Sequence, residues 1–282
     1  MSYLDRKDLG FIVRITQAYC FRCLTEMISQ TVNELNITVN ESGLNARQLS
    51  DSKTIFHNLL LYGDEFKEFY LHQDLEAVDI CVNMDNLNKK FKPIKKKQDE
   101  VIFYNLLNNS DKFFAVIGDV KQENTAAISI PTLITQEQPV YDLPSYDKPN
   151  LIITVSELVK GLPCLTKTID CKYIEFMCFE NGILIKAMMT KDKDPESVFP
   201  LGEKMKNPFR VGFDEAYRQG GRLISTYRTL PNVVKSFTKI PNISPENSSI
   251  LIYYSEDNAL KMRFRVGTFG IYEIYITDNG DL

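Results

Sequence analysis

The feature of this sequence that most constrains its fold is a proline-containing stretch near the middle of the chain. Thr135–Asn150 holds three of the 12 prolines among mostly polar side chains. Proline has no N–H to donate in a helix or a sheet, so this stretch is predicted to be an extended connector. The segments on either side of it, 1–134 and 151–282, carry the same order of predicted elements. The sequence therefore predicts two copies of one structural unit, joined by the connector.

Both halves are predicted to follow the order β-α-β-β-β-β-β-α-β-β-β. Phe11–Thr16 is rich in β-branched residues, which favour strands, and Ala18–Ser29 has apolar residues at helical spacing. In the second half, Leu151–Val155 and Ser156–Leu165 repeat this strand and helix. Short helices need one apolar face against a sheet and one solvated face. The predicted fold class is therefore α+β, with two similar domains that are each a mostly antiparallel sheet with two short helices on one face.

The internal match is best in the second predicted helix of each half, which we call the late helix. In the first half it is Met84–Phe91, with Asn83 as a suitable N-cap, and in the second half it is Leu230–Thr238. Five pairs of residues align without a gap: Asn86, Leu87, Lys89, Phe91 and Ile94 with Asn232, Val233, Lys235, Phe237 and Ile240. At about 100° per residue, the apolar members fall on one side of each helix and the lysines on the other. Each late helix is therefore predicted to turn lysine toward solvent.

Composition restricts the class of protein. The net charge of −4 argues against a generally basic surface for nucleic acid, although it allows a basic stripe. Hydrophobic content of 44% and charged content of 25% are typical of a soluble globular protein. No apolar run is long enough to cross a membrane, and the charged start of the chain is unlike a signal peptide. The sequence predicts an intracellular protein that makes no membrane contact.

Metal or catalytic chemistry has little support in the sequence. Cys20 and Cys23 have zinc-ligand spacing, but no second pair of that spacing follows, and the chain has only two histidines. The carboxylates that an enzyme could use as metal ligands lie in polar turns: Asp74, Glu76, Asp192, Asp194 and Glu196. A glycine-rich phosphate loop, HExxH and GxSxG are all absent from the sequence. We therefore expect no enzymatic activity, no cofactor and no metal, and an enzyme remains the alternative class.

Three stretches carry a resemblance to a known family: Gly43–Leu59, Phe66–Leu71 and Val78–Phe91. In order, they contain a turn glycine, a strand, a polar turn, a second strand, an aromatic-rich strand, and a strand that enters a short helix. In this order the chain resembles PCNA-type DNA sliding clamps, and the resemblance extends to the closing hairpin at Leu260–Thr277. The matching motifs are structural rather than catalytic. The resemblance is to a divergent clamp, and a viral or otherwise fast-evolving member is favoured over a typical cellular one.

In that family, two similar domains per chain and three chains per ring enclose duplex DNA, and the helices line the hole. The resemblance implies a DNA sliding clamp, or polymerase processivity factor, that forms a homotrimer and tethers DNA polymerase and other replication and repair proteins. An ATP-dependent clamp loader is a further implied partner. Lysines would contact phosphates without reading base sequence. The implied DNA-facing residues are Lys89, Lys92, Lys235 and Lys239, then Arg22, Lys160 and Lys167, and last the run Lys95–Lys97.

The resemblance also implies a peptide groove beneath the connector. The matching positions are Leu49, Phe56, Val140, Leu143, Pro144, Ala259, Tyr275 and Thr277. An apolar groove with aromatic residues suits a short peptide that inserts a few anchors. For Leu49, Phe56 and Tyr275 an ordinary place in the core is the alternative. Val140 and Leu143 are stronger candidates, because apolar residues in a polar connector need a surface to cover.

Ring closure in the family joins the edge strands of neighbouring chains. The resemblance implies that Ala126–Ile130 of one chain pairs with Ser197–Leu201 of the next, which would also remove two exposed sheet edges.

Two departures from the clamp pattern leave other functions open. Lys53 stands where cellular clamps usually carry a histidine, and Ser50 stands where they usually carry an aspartate. The first helix is also weakly basic, since Glu26 lies near Arg22. The alternatives are a clamp-fold viral factor that acts as a monomer or dimer in processivity or late transcription, and a β-rich structural protein. For a clamp we expect a location in the nucleus or at a cytoplasmic viral replication site.

Overall fold

The structure, a computed structural model, divides into two compact units. It describes residues 6–94, 100–118, 126–134, 141–158, 162, 171–180, 182–189, 209–211, 221–245 and 247–277. The first unit comprises Met1–Asp51, His57–Pro139 and Arg265–Tyr272, and the second comprises Ser52–Phe56, Val140–Phe264 and Glu273–Leu282. The predicted domain boundaries, at 134 and 151, stay a prediction.

The described part of the first half forms nine strands and two α-helices. These are β1 Leu9–Ile15, α1 Ala18–Ile28, β2 Glu34–Asn40, β3 Gly43–Leu49, β4 Ile55–Tyr62, β5 Glu68–Leu71, β6 Ala77–Asn83, α2 Met84–Phe91, β7 Glu100–Leu106, β8 Asn109–Gly118 and β9 Ala126–Pro131. One antiparallel sheet has the order β5-β1-β7-β8-β9, and β4-β3-β2-β6 lie side by side in another. This is the predicted order of elements.

Both helices of the first unit pack on the same face of the five-stranded sheet. The rings of Phe21 on α1, Phe91 on α2 and Phe103 on β7 meet with centroids 5.1–5.9 Å apart. Leu87 and Ile94 are also buried, so the predicted apolar face of the late helix is confirmed. This packing turns the remaining face of α2 outward.

The opposite face of the same sheet carries a second apolar cluster, which we call the outer cluster. Leu9, Ile12, Ile102 and Tyr104 are buried in it, and partly buried apolar neighbours pack around them: Tyr70, Leu106, Phe114 and Val116. The rings of Tyr104 and Phe114 are stacked at 5.1 Å. Side chains alternate between the two faces along a strand, so Ile102 and Tyr104 point away from the helices that Phe103 contacts. The five-stranded sheet is therefore apolar on both faces.

An ion cluster lies at one end of this sheet and joins three neighbouring parts of it. Glu100 on β7 accepts two hydrogen bonds from Arg14 on β1, at 2.6 and 3.0 Å, and one from Lys67, just before β5, at 2.6 Å. Burial acts to raise the pKa of Glu100, but the hydrogen bonds and charges of Lys67 and Arg14 outweigh it and lower the pKa. The carboxylate is therefore charged near neutral pH and holds both cations.

The described part of the second half repeats the plan in shorter pieces. Its elements are β10 Leu151–Thr154, a helical turn at 155–158, β11 Cys171–Phe179, β12 Gly182–Met189, β13 Phe209–Val211, β14 Leu223–Thr229, α3 Pro231–Ser236, α4 Ile240–Ile243, β15 Ser249–Tyr253, β16 Leu260–Val266 and β17 Gly270–Ile276. The antiparallel strand orders are β13-β12-β11-β14 and β10-β15-β16-β17. The predicted fold class, α+β with two similar domains of mostly antiparallel sheet and short helices, is confirmed.

The late helix of the second half differs from its prediction. It was expected to be one helix ending at Thr238, but a 3₁₀ turn at Phe237–Lys239 joins α3 to a further short helix, α4. Pro231 and Pro241 stand in the first turns of α3 and α4, where the missing proline N–H costs nothing. Proline can therefore begin a new helical segment here, which carries the helical region beyond the predicted end at Thr238.

Two predicted elements of the second half lie wholly or partly outside the described residues. The strand Ser197–Leu201 is one of them, and most of the helix Ser156–Leu165 is the other. By contrast, the predicted turn before β3 is described in full. Gly43 there has φ +130°, and a Cβ at this position would lie 2.0 Å from the carbonyl oxygen of Leu61. Only glycine fits this turn.

Candidate nucleic-acid interface and peptide groove

The late helix of the first unit presents a basic outer face. The side chain of Asn83 accepts a hydrogen bond from the N–H of Asn86 at 3.0 Å, so the predicted N-cap is confirmed and fixes where α2 begins. With Leu87 and Phe91 buried, Lys89 and Lys92 are exposed as predicted. Lys90, which the sequence analysis did not select, is exposed beside them. Its position next to Lys89 in the sequence could have indicated that it lies on the same basic face.

The late helix of the second unit presents a similar but smaller basic face. Val233, Phe237 and Ile240 are buried, which confirms the predicted apolar side. Lys235 is exposed, as its counterpart Lys89 is, and Lys239 is half-buried and takes part in further contacts. The paired positions in the two units therefore both carry a solvent-facing lysine.

Arg22 on α1 is held by contacts within the first unit. Its guanidinium pairs with Glu26 at 2.7 Å, and Nη1 donates to the carbonyl oxygens of Ile94 at 2.6 Å and Lys92 at 3.3 Å. Carbonyls at the end of a helix lack partners within the helix, and a cation near them is favourable. This geometry joins α1 to the end of α2. The predicted contact between Arg22 and DNA stays a prediction.

The other basic candidates lie outside the described residues. These are Lys160, Lys167 and the run Lys95–Lys97. At the sheet edge predicted to close a ring, β9 is an outer strand of the five-stranded sheet, as that prediction requires. Its predicted partner strand, Ser197–Leu201, is outside the described part of the chain.

Several positions assigned to the predicted peptide groove lie within the second unit. The ring of Tyr141, in the connector, lies against the ring of Phe56 at a centroid distance of 4.8 Å, and Phe56 lies 6.2 Å from Tyr275. Phe56 and Tyr275 are almost fully buried, at 0% and 2% exposure, whereas Leu143 and Pro144 are half-buried. The connector therefore covers an aromatic floor with its own side chains.

A buried ion pair supports this floor. Lys261 Nζ lies 2.8 Å from Glu273 Oε1, and also sits 5.3 Å and 5.2 Å from the ring centroids of Tyr253 and Tyr275. The hydroxyl of Tyr275 donates to Glu273 Oε2 at 3.0 Å. Lys261 and Glu273 could not be selected from the sequence, because their meeting depends on the pairing of β16 with β17. The floor is consequently fixed by charge as well as by packing.

The connector is anchored to the second unit at two further points. The hydroxyl of Tyr146 donates to the carbonyl oxygen of Ala259, and its ring lies 5.6 Å from that of Tyr253. Burial raises the pKa of Tyr146, with a further contribution from Tyr227, so the hydroxyl keeps the proton that it donates. At the end of the connector, the N–H of Asn150 donates to the carbonyl oxygen of Ile252 at 2.9 Å.

The remaining groove positions have different surroundings. Thr277 is buried, and its N–H donates to the carbonyl oxygen of Thr54 at 2.9 Å. Lys53, in the same turn, is exposed and has φ 59°. Leu49 is half-buried in the first unit, and Val140 lies outside the described residues. Of the eight predicted positions, six are thus placed in the second unit: Phe56, Leu143, Pro144, Ala259, Tyr275 and Thr277.

Metal-ligating residues do not cluster in the described part of the chain, where no group of three or more could hold an ion. Cys20 and Cys23 are buried in α1, and burial, with the neighbouring Cys23, raises the pKa of Cys20 to about 12. Asp74 and Glu76 are exposed, and Asp192, Asp194 and Glu196 lie outside the described residues. Within the same described part, no helix is both long and apolar enough to cross a membrane.

Comparison with known proteins agrees with this geometry. Residues 11–137 match the family model for the N-terminal domain of proliferating cell nuclear antigen, PCNA. The crystal structure of PCNA from Entamoeba histolytica is similar over 95% of this chain and 98% of its own, with 15% identity and a TM-score of 0.69. In the crystal structure of the PCNA2–PCNA3 complex from Sulfolobus tokodaii, the matching chain gives 95% and 99% coverage, 14% identity and a TM-score of 0.71. No curated protein matches the sequence.

The fold therefore defines the class as a clamp fold, with two similar domains built mostly from antiparallel sheet. The resemblance to PCNA-type sliding clamps is confirmed by the family match over 11–137 and by the fold of nearly the whole chain. Over residues 11–137 in sequence, and in fold over nearly its whole length, the chain is similar to PCNA.

Proposed function

We propose that this protein is a DNA sliding clamp that acts as a processivity factor and has no enzymatic activity of its own. The observation that carries the proposal is the pair of exposed lysines, Lys89 and Lys235, at matching positions on the late helices of the two units of a clamp fold. A clamp must hold duplex DNA without reading its sequence. Lysine contacts with phosphate provide such an attraction.

The charge distribution supports this proposal. The chain is acidic overall, with a net charge of −4, so exposed lysines grouped on α2 stand out against it. In the proposed assembly several chains, three in the ring expected from the sequence, enclose the duplex with these helices toward it. A closed ring cannot thread itself onto closed DNA, so an ATP-dependent loader would be needed.

The connector supports a second part of the function. Leu143 and Pro144 are half-buried apolar residues of the connector, and Tyr141 of the same connector packs on the aromatic floor in the second unit. A peptide from a DNA polymerase or another replication or repair protein would bind there through apolar and aromatic anchors. The clamp would in this way tether enzymes to DNA.

Replacing the four lysines Lys89, Lys92, Lys235 and Lys239 by alanine tests the DNA interface. The variant should bind a short linear duplex more weakly, because it loses phosphate contacts. The slope of log K against log salt should fall by about one for each lysine that contacts a phosphate. Fluorescence anisotropy of the labelled duplex at several salt concentrations measures both quantities.

A control variant removes the same charge elsewhere. Lys53, Lys112, Lys148 and Lys172 are exposed on turns and strands, and their replacement by alanine should leave the salt slope close to that of the parent protein. An equal loss in both variants would mean that only net charge matters. An unchanged slope in the late-helix variant would refute the proposed interface.

A further inference from the structure

The connector's own Tyr141 packs on the aromatic floor of the proposed peptide groove. We propose that Tyr141 is an internal occupant of the aromatic floor, and that a peptide binds by displacing its ring from Phe56. This inference rests on the proposed peptide groove, and it concerns how that groove is kept closed.

The ring of Tyr141 packs well against the ring of Phe56. Their ring centroids are 4.8 Å apart with an interplanar angle of 59°, within the range of favourable aromatic pairs. Phe56 is fully buried, although it belongs to the floor on which the connector lies, and Tyr141 remains half-exposed. Tyr141 is thus part of the cover of Phe56 and can itself be reached from solvent.

The aromatic floor beneath Tyr141 cannot rearrange easily. Tyr275 and Tyr253 both lie beside Lys261, whose charge is paired with Glu273 at 2.8 Å. The side chains of Lys261 and Glu273 are only 14% and 12% exposed. Glu273 also lies 3.7 Å from Arg263, and separating Lys261 from this carboxylate in a largely buried place is unfavourable. A ligand must therefore take the space above this floor rather than open it.

The connector is fixed at two points that follow Tyr141 in the sequence. Tyr146 is fixed by its hydrogen bond to Ala259 and by its ring contact with Tyr253. Asn150 is fixed by its N–H to Ile252 and by its side chain, which accepts from the N–H of Tyr254 at 2.9 Å. A rotation of the Tyr141 side chain would uncover Phe56 while Tyr146 and Asn150 keep their contacts.

The functional consequence is a competition between one internal ring and one external ring. An incoming aromatic side chain would gain contact with Phe56 only after Tyr141 has lost it. Peptides without an aromatic residue could not replace the lost contact, so Tyr141 would select for aromatic anchors. It is a positioning and specificity residue of the proposed groove.

Titration of the full-length protein with indole, a minimal aromatic probe, tests this inference. We expect Tyr141→Ala to bind indole about two- to tenfold more tightly than the parent protein. This is the change in the binding constant that corresponds to the free energy of one aromatic pair. Tyr141→Phe, which keeps the ring, should restore the parent affinity. Tyr173→Ala, which removes another half-buried tyrosine of the same unit, should give no gain. Chemical-shift changes in NMR spectra of the labelled protein report the binding and show that each variant is folded.

A second variant locates the site. In Tyr141→Ala/Phe56→Leu, the floor keeps an apolar residue of similar volume but loses its ring, so the gain in indole binding should disappear. No gain in Tyr141→Ala, or a gain that persists with Phe56→Leu, would overturn the inference. The indole titration needs neither DNA nor a polymerase. The inference about Tyr141 can therefore hold even if capture of the polymerase fails, so it is tested separately from the proposed function.

Discussion

A single histidine shows how closely the residues of the first unit depend on one another. His57 is buried between Thr31 and Tyr272, with Nε2 2.8 Å from the Thr31 hydroxyl and Nδ1 hydrogen-bonded to the Tyr272 hydroxyl. The Thr31 hydroxyl donates to the carbonyl oxygen of Ile28 at 3.2 Å, so its oxygen is left to accept from His57 Nε2–H. Nδ1 then accepts from Tyr272. In this series of hydrogen bonds, from Tyr272 through His57 and Thr31 to Ile28, every donor has an acceptor only while His57 is neutral.

This arrangement predicts that acid destabilises the first unit through His57. Burial lowers the pKa of His57 from 6.5 to about 3, so below pH 6.5 the unfolded chain binds a proton that the folded protein does not. The stability due to neutral His57 is present above that pH and is lost as the pH falls toward 3. The free energy of unfolding should fall by up to about 1.4 kcal/mol per pH unit from this group. Urea denaturation at several pH values measures it.

The matched variant for this prediction is His57→Phe/Tyr272→Phe. It removes the titrating ring and also the hydroxyl that would otherwise be left unpaired. Its stability should depend less steeply on pH between 6.5 and 3, while carboxylate titration is common to both proteins. Parallel pH curves for the parent and the variant would contradict the assignment.

At the scale of residues, the sequence could predict which side chains are apolar but not what they meet. Phe56 lies against the connector's Tyr141 and near Tyr275, and the assignment of Phe56 and Tyr275 to a peptide groove stays a prediction. Tyr141, Lys261 and Glu273 were missed, because their contacts depend on the path of the connector and on strand pairing. Contacts between residues far apart in sequence do not leave a local pattern.

At the scale of elements, local signals were enough for the first late helix and not for the second. The N-cap Asn83 and the nearby Pro93 define Met84–Phe91, and the structure has these bounds. In the second unit, Pro241 stands in the first turn of α4 and does not end the helical region. A proline is compatible with the first turn of a helix and incompatible with its interior, and sequence alone did not show which applied.

A substitution in the connector tests its proposed role in binding a polymerase. Leu143→Asp replaces a half-buried apolar residue of the connector by a charge, so the proposed peptide should lose its anchor site. Capture of the replicative DNA polymerase of the same organism on immobilised clamp should then be abolished, while the clamp's mass in solution is unchanged. Ser145→Asp adds the same charge at an exposed connector position and should leave capture intact. Retained capture by Leu143→Asp would rule out this groove.

At the scale of the whole molecule, the doubled unit was predictable because its order of elements is written twice in the sequence. The likeness to PCNA extends over 95% of the chain although only 14–15% of residues are identical. Such a fold tolerates change as long as the pattern of apolar faces is kept. The number of chains in the assembly is not encoded in such a pattern.

The mass of the protein in solution distinguishes between the proposed ring clamp and its alternatives. A ring clamp should have the mass of three 32.4 kDa chains, independent of concentration over the measured range. Light scattering after size-exclusion chromatography gives this mass directly. A stable monomer or dimer would favour the alternative clamp-fold factor, and a large shell would favour a structural protein. Either result would remove the closed trimer from the proposal.

The outer cluster has a consequence for how the five-stranded sheet finds its alignment during folding. In most antiparallel sheets, a strand that slips by one residue exposes its apolar side chains to water, and this penalty selects the native register. A sheet with apolar residues on both faces loses much of that selection. Glu100, which binds Arg14 and Lys67 from neighbouring segments, and the bulge between Leu9 and Phe11 fix positions along the strands instead. Charge and irregularity thus supply the alignment that alternation of polarity provides elsewhere.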